Sequence, residues 1–165
     1  MKTLLVMRHA KSSWREEDLA DHERPLNARG RRDGPRMGEW LAAQGLAPDL
    51  VVTSSARRAC ATAELVAAQL DPPPPLLVEA DLYHAHPDAY LDAARRHGAG
   101  DRVLLVGHNP GVEDLIQELC GVWERMPTAA VAVLELAIES WASLPSPPAA
   151  TLAAHVRPKD LPPVD

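Results

Sequence analysis

Three apolar runs in this chain each give way abruptly to a cation or an imidazole, and that pattern restricts the fold more than any other feature. Leu4-Leu5-Val6-Met7 stops at Arg8 and His9. Asp49-Leu50-Val51-Val52-Thr53-Ser54 runs into Arg57 and Arg58, and Val103-Leu104-Leu105-Val106-Gly107 runs into His108-Asn109-Pro110. Short apolar runs without alternation suit strands buried on both faces, as in a parallel sheet. In such sheets ligands sit beyond the C-terminal ends of the strands, near the point where strand order reverses. The three polar strand ends are therefore predicted to converge on one site holding two histidines and several arginines.

The segments between these runs support that reading. Thr3 to Met7, Leu50 to Thr53 and Arg102 to Val106 are the strong strands, with a short one at Leu76 to Val78. Asn27 to Gln44 is predicted helical, with Asn27 as N-cap, Gly45 as stop and Met37, Trp40 and Leu41 on the apolar side; Gly34 and Gly38 weaken it. Ala56 to Leu70, Pro87 to His97 and about Gly111 to Leu119 complete the helices, the second with proline in its first turn. Ala10 to Pro25 is polar and without clear period, so it is predicted to be a loop at the first strand's C-terminal end. Thr128 to Ile138 and Thr151 to Val156, joined by the proline-rich Pro145 to Pro148, predict a late antiparallel pair at the sheet edge. Strands alternating with helices imply an α/β chain with a mostly parallel sheet and helices on both faces. The 165 residues are expected to form one domain over residues 1–160, followed by a loose tail over 161–165. A domain of that size buries roughly 70% of its unfolded surface.

Composition narrows the function. A formal net charge of −6 argues against broad nucleic-acid binding, so any anion site must be local. Cys60 and Cys120 are too few for a secreted disulfide framework and are expected to be reduced core thiols. No run of about 18 apolar residues could span a membrane, and Arg8 interrupts the N-terminal run too early for a signal peptide. A soluble, cytoplasmic protein is expected.

The residue types at the strand ends suit phosphoryl transfer. An arginine grips two non-bridging phosphoryl oxygens with a planar fork of donors, and Arg8 and Arg58 are the preferred clamps. A neutral imidazole in line with phosphorus is a nucleophile, provided its distal nitrogen is tied to an acceptor; His9 is placed for that role. His108 would bring a second imidazole to hold the transferring oxygens.

These residues also carry a family resemblance. Leu5-Val6-Met7-Arg8-His9-Ala10, Arg24-Pro25-Leu26-Asn27-Ala28-Arg29-Gly30, Ser54 with Arg58 and Thr62 at spacings of four, and Val106-Gly107-His108-Asn109-Pro110 together resemble the histidine phosphatase superfamily, and most closely its SixA-type phosphohistidine phosphatases. The similarity runs from the first strand to about Leu119. It implies a phosphoglycerate mutase-like three-layer α/β/α sandwich and a phosphohistidine intermediate on His9. Phosphate binding by Arg8, Arg58 and His108, and a phosphate-pocket role for Arg24, follow from the same resemblance, with no metal or organic cofactor. Ala10 stands where many relatives have glycine.

Larger relatives that hydrolyse phosphate esters place a carboxylate in mid-chain to protonate the leaving oxygen, and no position here matches it. Glu79, Asp81 and Asp88 are candidates by region only, and His84 is another. A phosphorylated imidazole leaves far more readily than an alkoxide, so the missing acid favours phosphohistidine in a protein. A small phosphate ester or anhydride is the alternative substrate. A non-catalytic phosphate-binding module is the alternative of another class, and a mutase is disfavoured because the short chain has little material for a lid.

Blander readings compete at several positions. Arg57 could occupy the pocket in place of Arg58 if the helix start shifts by one. Arg24 could form only a loop salt bridge. Ser54 and Thr62 read as a helix cap and a packing residue. His84 and His86 lack a third ligand for a metal. Lys11, Ser12, Ser13 and Trp14 either shape the substrate mouth or are solvated, and His22, His97 and His155 receive no functional role.

Overall fold

The computed structural model describes residues 1–144 and 150–163. Among the described residues six strands and four α-helices follow one another: β1 (Lys2–Arg8), α1 (Ala28–Ala43), β2 (Leu50–Ser54), α2 (Arg57–Ala67), β3 (Leu76–Glu79), α3 (Pro87–His97), β4 (Arg102–Gly107), α4 (Gly111–Cys120), β5 (Val131–Leu136) and β6 (Ala150–Val156). They build one mixed sheet in the order β3-β2-β4-β1-β5-β6. β1 to β4 run parallel, while β5 lies antiparallel to both β1 and β6.

The unbroken apolar strands serve two cores at once, because successive side chains point to opposite faces. Leu4 and Val6 of β1, Leu50 and Val52 of β2, and Val103 and Leu105 of β4 pack with Leu91, Leu115 and Ile116 from α3 and α4. Leu5, Met7, Val51, Leu104 and Val106 face the other way and meet Met37, Leu41, Ala59 and Val66 from α1 and α2. The result is the expected α/β/α sandwich.

Gly34 and Gly38, which count against a helix by propensity, are required by its packing. A Cβ at Gly34 would lie 3.2 Å from Leu65, and one at Gly38 would lie 2.8 Å from the carbonyl oxygen of Val66. The two glycines let α1 press against α2, and tertiary contact overrides propensity. Asn27 caps α1 as predicted, its side chain accepting from the Gly30 N–H at 2.9 Å.

Three segments depart from expectation. The stretch predicted as a plain loop contains a 3₁₀ turn at Asp21–Glu23 and a bridge between Ser12 and Leu26. The late antiparallel pair exists, but β1 takes β5 as a neighbour, so only β6 reaches the edge. Arg36 Nη2 donates to the carbonyls of Pro158 and Pro162 at 3.1 and 2.9 Å, which fastens the start of the predicted tail to α1. Pro145 to Pro148 and the last two residues of the chain lie outside the described residues.

Candidate active site

The parallel strands β2, β4 and β1 are consecutive in the sheet, so their C-terminal ends lie together. There a cavity of about 240 Å³ is lined by Arg8, His9, Lys11, Ser12, Trp14, Asp21, Arg24, Arg58, His108, Asn109 and Thr128. The structure thus brings together Arg8, His9, Arg24, Arg58 and His108, the five residues singled out in the sequence. Arg57 is exposed and lines a separate cavity with Pro25, Leu26 and Arg31, so Arg58 is the one that faces the pocket.

His9 is held as a neutral imidazole. Its Nδ1 donates to the Ala10 carbonyl at 2.7 Å, which leaves Nε2 with a free lone pair. Burial lowers its pKa from 6.5 to about 3; the Ala10 bond opposes that shift, and His108, Arg58 and Arg8 reinforce it. The segment carrying the ring is anchored to α2: Thr62 Oγ1 accepts from the Ala10 N–H at 2.9 Å and donates to the Arg58 carbonyl at 2.7 Å. Thr62 therefore couples the loop that follows His9 to the helix that delivers Arg58, beyond the packing role its sequence position suggests.

His108 faces His9 with ring centroids 5.1 Å apart and planes tilted by 54°. Its Nε2 lies 2.7 Å from Ser54 Oγ, and that oxygen already accepts the Ala56 N–H at 3.2 Å. The hydroxyl can either donate to Nε2 or accept from it, so Ser54 fixes the ring's orientation whichever ring nitrogen carries the proton. Burial lowers the His108 pKa to about 4, with Arg58 adding to the effect. Behind the ring, the His108 N–H donates to Tyr90 Oη at 3.1 Å. A Cβ at Gly107 would sit 2.1 Å from that phenol oxygen, so only glycine fits between β4 and Tyr90.

Three arginines line the pocket, from the end of β1, the loop before α1 and the first turn of α2. Arg8 Nη1 donates to the Met126 carbonyl at 3.2 Å, and burial lowers its pKa despite the opposing charge of Glu113. Arg24 Nη1 donates to Ser12 Oγ at 2.8 Å, and its guanidinium carbon lies 3.4 Å from the centre of the Trp14 ring. Arg58 Nη1 donates to the Asp21 carbonyl at 2.7 Å. Arg8 Nε, Arg58 Nε and His108 Nδ1 are buried without a hydrogen-bond partner. Asn109 Oδ1, from the same lining, is likewise unpartnered, and the cavity sets Arg8, Lys11, Arg24 and Arg58 against the single carboxylate Asp21, an excess of positive charge that suits an anion.

Sequence reasoning missed Asp21. Its carboxylate accepts from Arg58 Nη2 at 3.0 Å, Arg24 Nε at 3.2 Å and Tyr83 Oη at 2.5 Å. The Tyr83 bond holds the carboxyl well below the usual carboxylate range; burial opposes it, and the bond and charge of Arg58 and the bond from Arg24 add to the lowering. Asp21 sits three residues before Arg24 in a polar stretch, and only the 3₁₀ turn reveals that the two meet. Glu79, Asp81 and Asp88 do not line the pocket. Glu79 instead meets His97 Nε2 at 3.2 Å and Arg96 Nη2 at 3.4 Å. His84 is exposed, adopts φ 59° and packs on Tyr83 with ring centroids 3.9 Å apart. Among the described residues no group of three or more His, Cys, Asp or Glu side chains is arranged to hold a metal ion, and no helix is long and apolar enough to cross a membrane.

The model of the histidine phosphatase superfamily (branch 1) matches residues 4–86, which include Arg8, His9, Arg24 and Arg58. A solved structure described as a candidate phosphohistidine phosphatase SixA from Nakamurella multipartitia superposes with a TM-score of 0.84 at 26% identity, covering 95% of this chain and 96% of that one. The protein histidine phosphatase SixA solved with tungstate gives a TM-score of 0.79 at 26% identity, covering 96% and 98%. An uncharacterised protein of Mycobacterium tuberculosis is 35% identical over 164 residues, covering 91% of this chain and 99% of its own length. Site geometry, fold and sequence agree that the chain belongs to branch 1 of the histidine phosphatase superfamily.

Proposed function

We propose that this protein is a phosphatase that transfers a phosphoryl group to His9 and then to water, and that its substrate is phosphohistidine carried by a protein. The observation that carries the phosphatase reading is the convergence of Arg8, Arg24, Arg58 and His108 in one cavity around the neutral imidazole of His9. His9 Nε2 attacks phosphorus, and the bond from phosphorus to the leaving atom breaks. The Nδ1 hydrogen bond to Ala10 stays in place and steadies the charge that develops on the ring. Arg8, Arg58 and His108 hold the equatorial oxygens, and Arg24 adds a further donor at the rim. Water then attacks the phosphoenzyme, the P–N bond to His9 breaks, and inorganic phosphate leaves.

The leaving group is argued from Asp21 and from size. Asp21 is the carboxylate that lines the pocket, and three donors keep it ionised, so it has no proton to give. A leaving group that needs little protonation fits such a site, and a phosphorylated imidazole is one. At about 240 Å³ the cavity is smaller than the roughly 300–1,000 Å³ of typical small-molecule pockets. It accommodates a phosphoryl group while the rest of the substrate stays outside, beside the exposed Trp14. That arrangement suits a phosphohistidine presented on a protein surface.

The test is a substrate panel of phosphohistidine protein, phosphoramidate, sugar phosphates and nucleotides. Preference for P–N substrates, with acid-labile phosphate trapped on the wild type and none on His9→Ala, is the expected result. Faster turnover of sugar phosphates or nucleotides would shift the assignment to a small ester or anhydride. Tight phosphate binding without release would make the chain a binding module.

A further inference from the structure

A second, larger cavity of about 440 Å³ opens on the same edge of the sheet, lined by Glu124, Arg125, Pro127, His155, Arg157 and Lys159. Its place follows from the strand register. Val156 pairs with Val131, and Val131 pairs with Met7, so Arg157 continues β6 at the level where Arg8 ends β1. Two strand spacings of about 4.8 Å put this cavity roughly 10 Å from the nucleophile's strand. The segment from Glu124 to Thr128 divides the two sites: Thr128 lines the catalytic pocket, the Met126 carbonyl holds Arg8, and Glu124, Arg125 and Pro127 face the second cavity.

The charge of this cavity is unlike that of the chain. Arg125, Arg157 and Lys159 stand against Glu124, in a protein whose formal net charge is −6. Asp160 neutralises Arg157, with 3.0 Å between its Oδ1 and Nη2. Arg125 and Lys159 are exposed and form no ion pair among the described residues. His155 Nδ1 lies 3.6 Å from Glu124 Oε2, and its Nε2 is buried without a hydrogen-bond partner. Nothing in the phosphoryl-transfer chemistry uses these groups.

We infer that this cationic cavity is a docking site for acidic side chains of the phosphohistidine protein, engaged while the phosphoryl group occupies the catalytic pocket. The inference rests on the phosphohistidine-protein reading. A compact metabolite such as a sugar phosphate seated on His9 would not span the gap, whereas a folded partner or an extended peptide would. Rim charges of this kind act on encounter and register, so their effect falls as salt screens it.

The experiment compares wild type, Lys159→Glu and the double variant Arg125→Glu, Lys159→Glu on three probes. These are a phosphohistidine peptide with a glutamate-rich arm, its glutamine counterpart, and phosphoramidate. On the glutamate peptide the double variant should lose about tenfold in kcat/KM at low salt, chiefly through KM, and the loss should shrink at high salt. Phosphoramidate turnover by Lys159→Glu should stay within about twofold of wild type, since surface changes away from the reacting atoms perturb little; Arg125 is near enough for its charge to act on Arg8, so the double variant is judged by its ratio of peptide to phosphoramidate turnover. Melting curves check folding, and the milder Lys159→Gln should give an intermediate loss. Equal turnover of the glutamate peptide by all forms overturns the docking site, as does a loss that is the same on phosphoramidate. If the wild type cleaves phosphoramidate but neither peptide, the phosphohistidine-protein reading falls, and the docking site falls with it.

Discussion

Asp21 Oδ2 lies 3.0 Å from Arg58 Nη2, so a carboxylate of the protein itself occupies part of the donor set that a phosphoryl group would need. The same carboxylate accepts from Arg24 Nε at 3.2 Å. An incoming phosphate dianion must compete with Asp21 for both arginines and tolerate its charge at close range. Replacing the carboxylate by an amide removes that competition. Asp21→Asn should therefore bind tungstate or inorganic phosphate more tightly, by about tenfold for a like charge removed at hydrogen-bond range. The cost to stability should be small, under about 1 kcal/mol, because Asp21 is about half exposed and solvent screens the pairing. Its contribution is present above pH 3.8 and is lost as pH falls through the depressed folded-state value. Isothermal titration with tungstate decides the matter: weaker binding by Asp21→Asn would mean that the carboxylate mainly aligns the arginines.

The two histidines make a pH prediction with the opposite chemistry. Burial lowers His9 from 6.5 to about 3 and His108 to about 4, so both stay neutral in the folded chain where the unfolded chain takes up protons. Between about pH 4 and 6.5 the unfolded state binds more protons, and stability must rise with pH. Acid destabilisation should therefore begin near pH 6.5, and His9→Ala, His108→Ala should flatten the melting temperature over that window. The acid limb of kcat/KM, corrected for ionisation of the substrate, should fall below pH 5. A limb near the ordinary histidine value would show that burial does not hold the rings neutral below pH 6.5.

How much of this was legible in the sequence depends on the range of the interactions involved. Arg8, His9 and His108 end strands, and the apolar runs before them mark those strands unaided. Asn27 caps α1 through a local bond that its position announces. Asp21 was invisible because its importance lies in contacts to Arg58 and Tyr83, 37 and 62 residues away. Ser54 was legible as the polar end of a strand, yet its bond to His108 spans 54 residues. Gly34 and Gly38 misled for the same reason: propensity speaks of an isolated helix, while Leu65 and Val66 require the missing side chains.

Gly107 offers a test of the scaffold behind His108. A methyl group there would lie 2.1 Å from Tyr90 Oη and within 2.7 Å of two ring carbons. Overpacking a buried site costs roughly 1–3 kcal/mol. Gly107→Ala should lower the melting temperature and slow turnover, since the displaced phenol also accepts the His108 N–H. Adding Tyr90→Phe removes the nearest atom, so the double variant should recover part of the stability but little of the activity. Additive losses in a double-mutant cycle would contradict a direct clash.

Ser54 separates positioning from chemistry. Its hydroxyl lies 2.7 Å from His108 Nε2 and has no reach to the reacting atoms except through that ring. If the hydroxyl donates to Nε2, the ring's N–H is on Nδ1, and removing the hydroxyl frees the tautomer to switch. The neutral ring would then present a lone pair to the phosphoryl oxygens where it had offered a donor. Ser54→Ala should reduce kcat by about tenfold, within the range of losing one oriented donor, with a smaller change in KM. Ser54→Thr keeps the hydroxyl and should restore most of the rate if the buried site admits the extra methyl. The distinguishing readout is the ¹⁵N chemical shift of the His108 ring, which reports the protonated nitrogen directly. Equal shifts in wild type and Ser54→Ala, together with a rate loss, would mean that the serine supports packing and leaves the tautomer alone.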